Sequence, residues 1–333
     1  MQEASYYSID EIGNIRCDLC PHYCNISRDN YGICGTRVEK SGKLYAKTYG
    51  KLSSISIDPI EKKPLHHFYP SQNILSIGSY GCNMHCGFCQ NASISQCRKD
   101  RLPVGEITHL NSMMGEIKRH GLKLLSFTYN EPIVFYEFML DVSREAQNEG
   151  VISTMISNGF INHDPLSELL HYISAFNIDL KAFNNDSYRK MTGGELQPVL
   201  DTIKDISNAE KHLEITFLVI PGLNDDEEEF RLMVDFIVNE TSKDTVLHIA
   251  RYFPNYKLDT LPTPIEKIRE FSNIAKQKLR YVYVGNTGDA IDTSTYCPDC
   301  GKLLIKRSYY SSEMVGMDRN KCNYCGFRIY GIF

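Results

Sequence analysis

The stretch Gly81-Cys82-Asn83-Met84-His85-Cys86-Gly87-Phe88-Cys89-Gln90-Asn91 places three thiols within eight residues. Thiols at this density, in a chain with no secretory features, suit a metal centre better than a disulfide. Three ligands rather than four leave one metal position open. A structural zinc site closes with four protein ligands, whereas a four-iron cluster held by three cysteines keeps one iron free for a substrate or cofactor. A surface zinc knuckle completed by a distant thiol such as Cys97 is the competing reading of the same residues.

The chain around this loop has 333 residues, enough for a large core, with 42% hydrophobic and 23% charged residues, as in ordinary soluble globular proteins. The formal net charge of -5 argues against a large nucleic-acid footprint. No stretch approaches eighteen consecutive apolar residues, and the start MQEASYYSIDEIGN lacks the order of a signal peptide, so a cytoplasmic protein without a membrane segment is expected. Twelve cysteines in a reducing compartment call for metal.

Four of these, Cys17-x2-Cys20-x3-Cys24-x9-Cys34, lie in a region over residues 1–73 without helical periodicity, and they suit either a zinc ion or a second iron-sulfur cluster. The dense segment from Asp58 to Phe68, with Lys62, Lys63, His66 and His67, reads as a solvated loop or as a contact to an anionic group. At the other end, Cys297-x2-Cys300 and Cys322-x2-Cys325, each pair followed by glycine, predict a zinc-ribbon-like tail over residues 293–333. From residue 297 onward six basic residues face three acidic ones, a weak basic surface that suits packing on the main domain or docking a protein better than RNA.

Between these ends, over residues 74–292, short apolar runs alternate with segments of helical period. Strands are predicted at 74–79, 124–128, 151–156, 175–180, 213–220, 246–251 and 281–284, and helices near 108–120, 133–149, 165–172, 198–211, 225–240 and 264–279. Asp225 is expected to cap the fifth of these helices, at 225–240. Strands buried on both faces and separated by helices imply an α/β fold with a parallel sheet, here a partial (β/α)6 TIM-like barrel. The polar motifs then fall at carboxyl ends of strands: the cysteine loop, Thr128-Tyr129-Asn130-Glu131-Pro132, Ser157-Asn158-Gly159, Asp179-Leu180-Lys181 and Arg251-Tyr252. In a parallel barrel those ends share one face, where active sites are built.

The spacing C-x3-C-x2-C, with Phe88 before its last cysteine, resembles the radical S-adenosylmethionine (SAM) enzymes, and the likeness extends from the N-terminal cysteines to the terminal pairs. Among those enzymes the chain is most similar to the AmmeMemoRadiSam-system members, which resemble the pyruvate formate-lyase (glycyl radical enzyme) activating enzyme. The resemblance implies that Cys82, Cys86 and Cys89 hold a [4Fe-4S] cluster whose open iron chelates SAM, and that reductive cleavage yields a 5'-deoxyadenosyl radical that abstracts hydrogen from a substrate. It also implies that Phe88, Asn130, Glu131, Ser157, Asn158, Asp179, Lys181 and His248 line the SAM site. Asn130-Glu131-Pro132 is similar to a Gly-Gly-Glu-Pro motif with both glycines replaced, which shifts backbone geometry but keeps the carboxylate. The resemblance further implies a protein or peptide substrate and an electron donor such as flavodoxin or ferredoxin. Radical modification of a small molecule or tRNA, and a metal-dependent binding module without catalysis, are the alternatives.

Overall fold

The computed structural model describes residues 1–97, 108–288 and 291–333. Its centre is an eight-stranded sheet. In chain order the strands are β1 (Ser54–Pro59), β2 (Asn73–Gly78), β3 (Leu124–Phe127), β4 (Ile152–Ser157), β5 (Ile173–Asp179), β6 (His212–Val219), β7 (Val246–Arg251) and β8 (Val282–Gly285). They lie side by side in that same order; β2 to β8 are parallel, and β1 runs antiparallel to β2 at the edge. Parallel neighbours need crossovers, which α1 (Leu110–Arg119), α2 (Tyr136–Asn148), α3 (His163–Leu169), α5 (Leu196–Asn208), α6 (Glu227–Glu240) and α7 (Ile265–Lys276) supply. These are the expected elements with boundaries moved by a few residues.

Three features depart from expectation. A further helix, α4 (Asn185–Thr192), follows β5; Asn184 caps it by accepting from the amides of Asp186 and Ser187, and Gly193 ends it in the left-handed conformation. The cap of α6 is Asp226, which accepts from the Glu229 amide, while Asp225 instead accepts from the Gly222 amide in the preceding turn. The strands, third, are not apolar on both faces. One face, with Leu125, Phe127, Phe176, Ile215, Phe217 and Ile249, packs under the helices in the main core. The other carries Ser76, Ser126 and Thr154 in register across β2, β3 and β4, and Thr216, His248 and Tyr283 in register across β6, β7 and β8. Asn177 on β5 registers with Glu214 on β6 on that same face. The period-two alternation therefore separates a fully apolar face from one on which these polar residues are mixed with the apolar cluster of Ile74, Leu124 and Ala175 under Ile60, Leu65 and Phe68.

Residues 60–69 cover part of that second face. Glu214, fully buried, accepts from the backbone amides of His66 (3.0 Å) and His67 (2.7 Å) and from Nε2 of His212 (2.9 Å) and His248 (2.5 Å), while Asn177 donates to the Pro64 carbonyl at 2.7 Å. A buried carboxylate with four donors is satisfied, and one deprived of them would be costly. Although burial opposes ionisation, the His212 and His248 hydrogen bonds hold Glu214 well below the usual carboxylate range. The C-terminal segment packs against the same residues. The amide of Ile332 donates to the His67 carbonyl (2.9 Å), Nη2 of Arg307 donates to the His66 carbonyl (2.7 Å), and Leu304, Ile305, Met317 and Ile329 pack with Val246, Tyr281 and Tyr283. The tail thus packs on the sheet, as its weak charge suggested. The N-terminal residues form two small antiparallel sheets, one joining Gln2–Glu3, Arg37–Lys40 and Lys43–Ala46 and the other Tyr7–Ile9, Ile15–Cys17 and Asn25–Ile26.

His67 sits between the Tyr330 carbonyl (2.6 Å from Nδ1) and the Tyr283 hydroxyl (2.6 Å from Nε2), a pair of partners that a neutral imidazole satisfies by donating to the first and accepting from the second. Burial, helped by the positive charge of Arg307 and opposed by Glu214, drops its pKa to about 3, and burial depresses His66 in the same direction. Both groups bind a proton in the unfolded chain before they do so in the native one. Stability is therefore fully present above the ordinary histidine value of 6.5 and falls as the pH drops from there toward 3, by up to about 1.4 kcal/mol per pH unit for each group. Thermal unfolding of His67→Asn should be less stable than wild type at pH 7.5 but fall less steeply between pH 6.5 and 5; an unchanged slope would show that His67 does not titrate in this way.

Candidate functional site

The cysteine loop leaves the carboxyl end of β2 and is pinned by backbone contacts. Gly81, at φ +88°, donates to the Ile94 carbonyl (2.9 Å), His85 donates to Thr192 at the end of α4 (2.7 Å), and the Lys257 amide donates to Gly87 (2.8 Å). A Cβ at Gly81 would lie 2.6 Å from Cγ2 of Thr36 and 2.7 Å from the carbonyl oxygen of Cys34, so both the backbone angle and the space require glycine. Cys86 is buried, Cys82 and Cys89 are partly exposed, and Phe88 packs in the core beside them. The Met84 amide donates to Sγ of Cys82 at 3.3 Å, and Cys89 Sγ lies 3.1 Å from the Ser95 hydroxyl.

The motif after β3 holds this loop from behind. Asn130 accepts from the Ser79 amide (2.8 Å) and donates to the Gly81 carbonyl (3.0 Å). The left-handed residue in this motif is Tyr129, at φ +72°, and not the asparagine better suited to it. Strain of about 1–2 kcal/mol is expected for such a residue. Its anchors are a hydroxyl donating to Oδ2 of Asp58 at 2.6 Å and a carbonyl accepting from Asn91 at 2.7 Å. Asp58 in turn accepts from Lys62 (2.9 Å) and Lys63 (2.7 Å), and the Lys63 ammonium lies 5.1 Å from the Tyr129 ring centre. The 58–63 segment is thereby tied to the motif and is not a solvated loop.

Glu131 is the centre of the arrangement. Oε1 accepts from the Ser157 hydroxyl (2.7 Å) and the Ile133 amide (3.3 Å), and Oε2 from the Asn158 amide (2.8 Å), so one side chain joins the ends of β3 and β4. Burial pushes its carboxyl up to about 7, against these hydrogen bonds. Asn158 continues the chain: Nδ2 lies 2.8 Å from Oδ1 of Asn83 and 3.8 Å from Sγ of Cys82. At the end of β5, Lys181 Nζ donates to Asp179 at 3.0 Å, and the ammonium is electrostatically coupled to Cys86.

Glu131, Ser157, Asn158 and Cys82 are thus one hydrogen-bonded unit, with Asn130 behind it and Asp179 and Lys181 near Cys86. His248 is not part of it. Its Nε2 is occupied by Glu214, and its ring stands edge-on to His66 at 4.6 Å between centres, deeper in the polar interior. The sequence reading did not single out Asn83 or Tyr129, although both lie inside the quoted motifs. Ser76, Ser126 and His66 also present buried polar atoms (Oγ, Oγ and Nδ1) with no hydrogen-bond partner among the described residues, and the two serines face the interior. Such a lining favours a polar guest.

The three sets of thiols differ in spacing. Cys297 and Cys325 bring their sulfurs to 3.6 Å, and Cys300 and Cys322 to 3.7 Å. Among the described residues these four are the only group of three or more metal-ligating side chains whose ligand atoms all lie within 4.8 Å of one another. They could bind a metal ion. Neither Cys82, Cys86 and Cys89 nor the N-terminal four draw so close.

Residues 76–234 match the profile of the Radical SAM superfamily. An uncharacterized protein of Methanocaldococcus jannaschii is 40% identical over 333 residues, covering 99% of both chains. The pyruvate formate-lyase 1-activating enzyme of Escherichia coli is 26% identical over 164 residues, covering 47% of this chain and 65% of that one, so the likeness spans less than two thirds of that relative. In fold, the chain is similar to a radical SAM methyltransferase from Sphaerobacter thermophilus, with a TM-score of 0.52 and 16% identity over 71% of each chain. No helix among the described residues is long and apolar enough to cross a membrane. The profile match runs from β2, which presents the three-cysteine loop, into α6, and the chain belongs to the radical SAM superfamily, with activating enzymes among its relatives.

Proposed function

We propose that this chain is a glycyl-radical-activating-enzyme-like oxidoreductase that cleaves SAM reductively and removes hydrogen from a protein or peptide. The observation that carries this reading is the continuous path from Cys82 through Asn158 to Glu131 and Ser157, which couples the thiol loop to a buried carboxylate. The sulfurs of Cys82, Cys86 and Cys89 do not all lie within 4.8 Å of one another, and three thiols are one ligand short of a closed zinc tetrahedron. The donor set therefore fits a [4Fe-4S] cluster with one open corner. When bound, that cluster supplies an electron to the sulfonium of SAM, and the resulting 5'-deoxyadenosyl radical takes the substrate hydrogen.

The protein's part is to bind, orient and exclude water. Glu131 has lone pairs left after three hydrogen bonds and offers them to the methionine ammonium. Ser157 and Asn158 serve the ribose or carboxylate. The Asp179–Lys181 pair presents both charges to a zwitterion. Asn130 sets the loop's height through two hydrogen bonds, and Phe88 and Met84 keep the floor apolar. His248 lies on the same sheet face as Thr216 and is held by Glu214. In this reading residues 74–292 curve into a partial (β/α)6 barrel, flanked by the cysteine-rich region 1–73 and the zinc-ribbon-like tail 293–333. The relatives named as activating enzymes favour a protein partner, with a cytoplasmic one-electron donor of the flavodoxin or ferredoxin class.

Anaerobically reconstituted protein given SAM and dithionite should form methionine and 5'-deoxyadenosine, and Cys86→Ala should abolish both; zinc in place of iron in this loop would overturn the assignment. Glu131→Gln should weaken SAM binding about 10- to 100-fold, the equivalent of about 1.5–3 kcal/mol for a charge-assisted hydrogen bond, measured by equilibrium binding to the cluster-loaded protein. In the tail, sulfur separations of 3.6 and 3.7 Å match the edge of a zinc tetrahedron. Cys322→Ser should accordingly lower zinc content by about one ion per chain, read by elemental analysis, with iron unchanged.

A further inference from the structure

Cys17, Cys20, Cys24 and Cys34 all line one cavity, together with Arg37 and Asn83. Leu19, Ile133 and Val134 supply its apolar walls. A zinc ion would draw four thiolates to about 3.8 Å from one another, as the tail cysteines already stand. The N-terminal sulfurs do not approach in this way, and in that they resemble the Cys82, Cys86 and Cys89 set and not the tail. A four-iron cubane interposes its own iron and sulfide between the cysteines and holds them at the corners of a larger cage.

Arg37 is a second, independent observation. Its side chain is 1% exposed, and Nη1 donates to Glu137 at 2.7 Å, while Nε and Nη2 have no partner among the described residues. Two unpaired guanidinium donors buried beside the cysteine-lined cavity are costly unless an acceptor comes within their reach. The inorganic sulfides of a cubane are such acceptors, and its net negative charge suits the cation. A zinc ion brings no acceptor of its own. Cys24 already receives a contact of the kind that a thiolate uses, from the Ile33 amide at 3.4 Å.

The cavity shares a wall with the catalytic loop. The Cys34 carbonyl lies against Gly81, which precedes Cys82, and Asn83 lines the cavity while its carbonyl meets Nε2 of His22 at 2.7 Å and its side chain meets Asn158. Cys17 is buried, whereas Cys20, Cys24 and Cys34 are partly exposed.

We propose that the four N-terminal cysteines hold a second [4Fe-4S] cluster that passes electrons from an external donor to the three-cysteine cluster. The proposal rests on the SAM-cleaving reading for its destination but not for its metal. One electron leaves a low-potential one-electron protein donor and reduces the outer cluster, which returns to its oxidised state as the inner cluster is reduced; no bond forms or breaks.

The test is metal and sulfide analysis with electron paramagnetic resonance on the full chain after anaerobic reconstitution. Wild type should hold about eight irons and eight sulfides. Cys20→Ala with Cys24→Ala, and Cys82→Ala with Cys86→Ala and Cys89→Ala, should each lose about half of the iron. SAM should change the spectrum of the cluster that the first variant keeps and leave that of the second unaltered, and the first variant should lose rapid reduction by reduced flavodoxin. About four irons with a second zinc in wild type would overturn the proposal without recourse to any variant. A spectrum insensitive to SAM in the first variant, with about eight irons in wild type, would sink the SAM-cleaving reading and keep the second cluster.

Discussion

A carboxylate buried between two strand ends is the constraint on which this site depends. Glu131 cannot be left without partners in a low-dielectric interior, and besides the nearby Ile133 amide its partners are the Ser157 hydroxyl and the Asn158 amide, at the end of the next strand. Satisfying that one group fixes β3 and β4 at their carboxyl ends and leaves the Asn158 side chain directed at Asn83 and Cys82. The loop's position is a consequence of carboxylate solvation as much as of its own turn geometry. Asn130 and Tyr129 act in the same sense from the preceding residues, the first by gripping the loop backbone and the second by holding a strained angle through Asp58.

The parallel sheet was legible because each strand is a short apolar run between helical segments, and boundaries such as Ile152–Ser157 and Val246–Arg251 fall within two residues of expectation. The motifs at the strand ends were legible for the same reason: once the strands are placed, position alone gathers Glu131, Ser157 and Asp179. What was not legible depends on partners distant in sequence. His248 is bound to Glu214, 34 residues earlier, and no local pattern announces that pair. The helix Asn185–Thr192 carries a cap at Asn184 and a stop at Gly193, yet its few apolar residues hide its period. The polar inner face is written in the strands themselves, as in Leu-His-Ile-Ala and Leu-Glu-Ile-Thr, but alternation was outweighed by overall hydrophobicity.

Three sets of cysteines in one chain are distinguished by sulfur spacing and by what surrounds them. The tail set stands near 3.7 Å in a small hairpin that has little core beyond Leu304, Ile305 and Met317, and cross-linking by a metal suits so small a unit. The loop set is short by one ligand and faces a polar interior. The N-terminal set surrounds a cavity with an arginine on its wall. Chain order separates them, yet Asn83 and Gly81 join the latter two across a single layer of atoms.

Arg307, on the tail hairpin, reaches the His66 carbonyl, and Ser71 meets Ser312 at 2.6 Å, so the segment that covers the polar-bearing sheet face is itself held by the four-cysteine tail. A disturbance of the four-cysteine tail would thereby be transmitted, through Arg307 and the His66 backbone, to the hydrogen bonds that hold the buried Glu214.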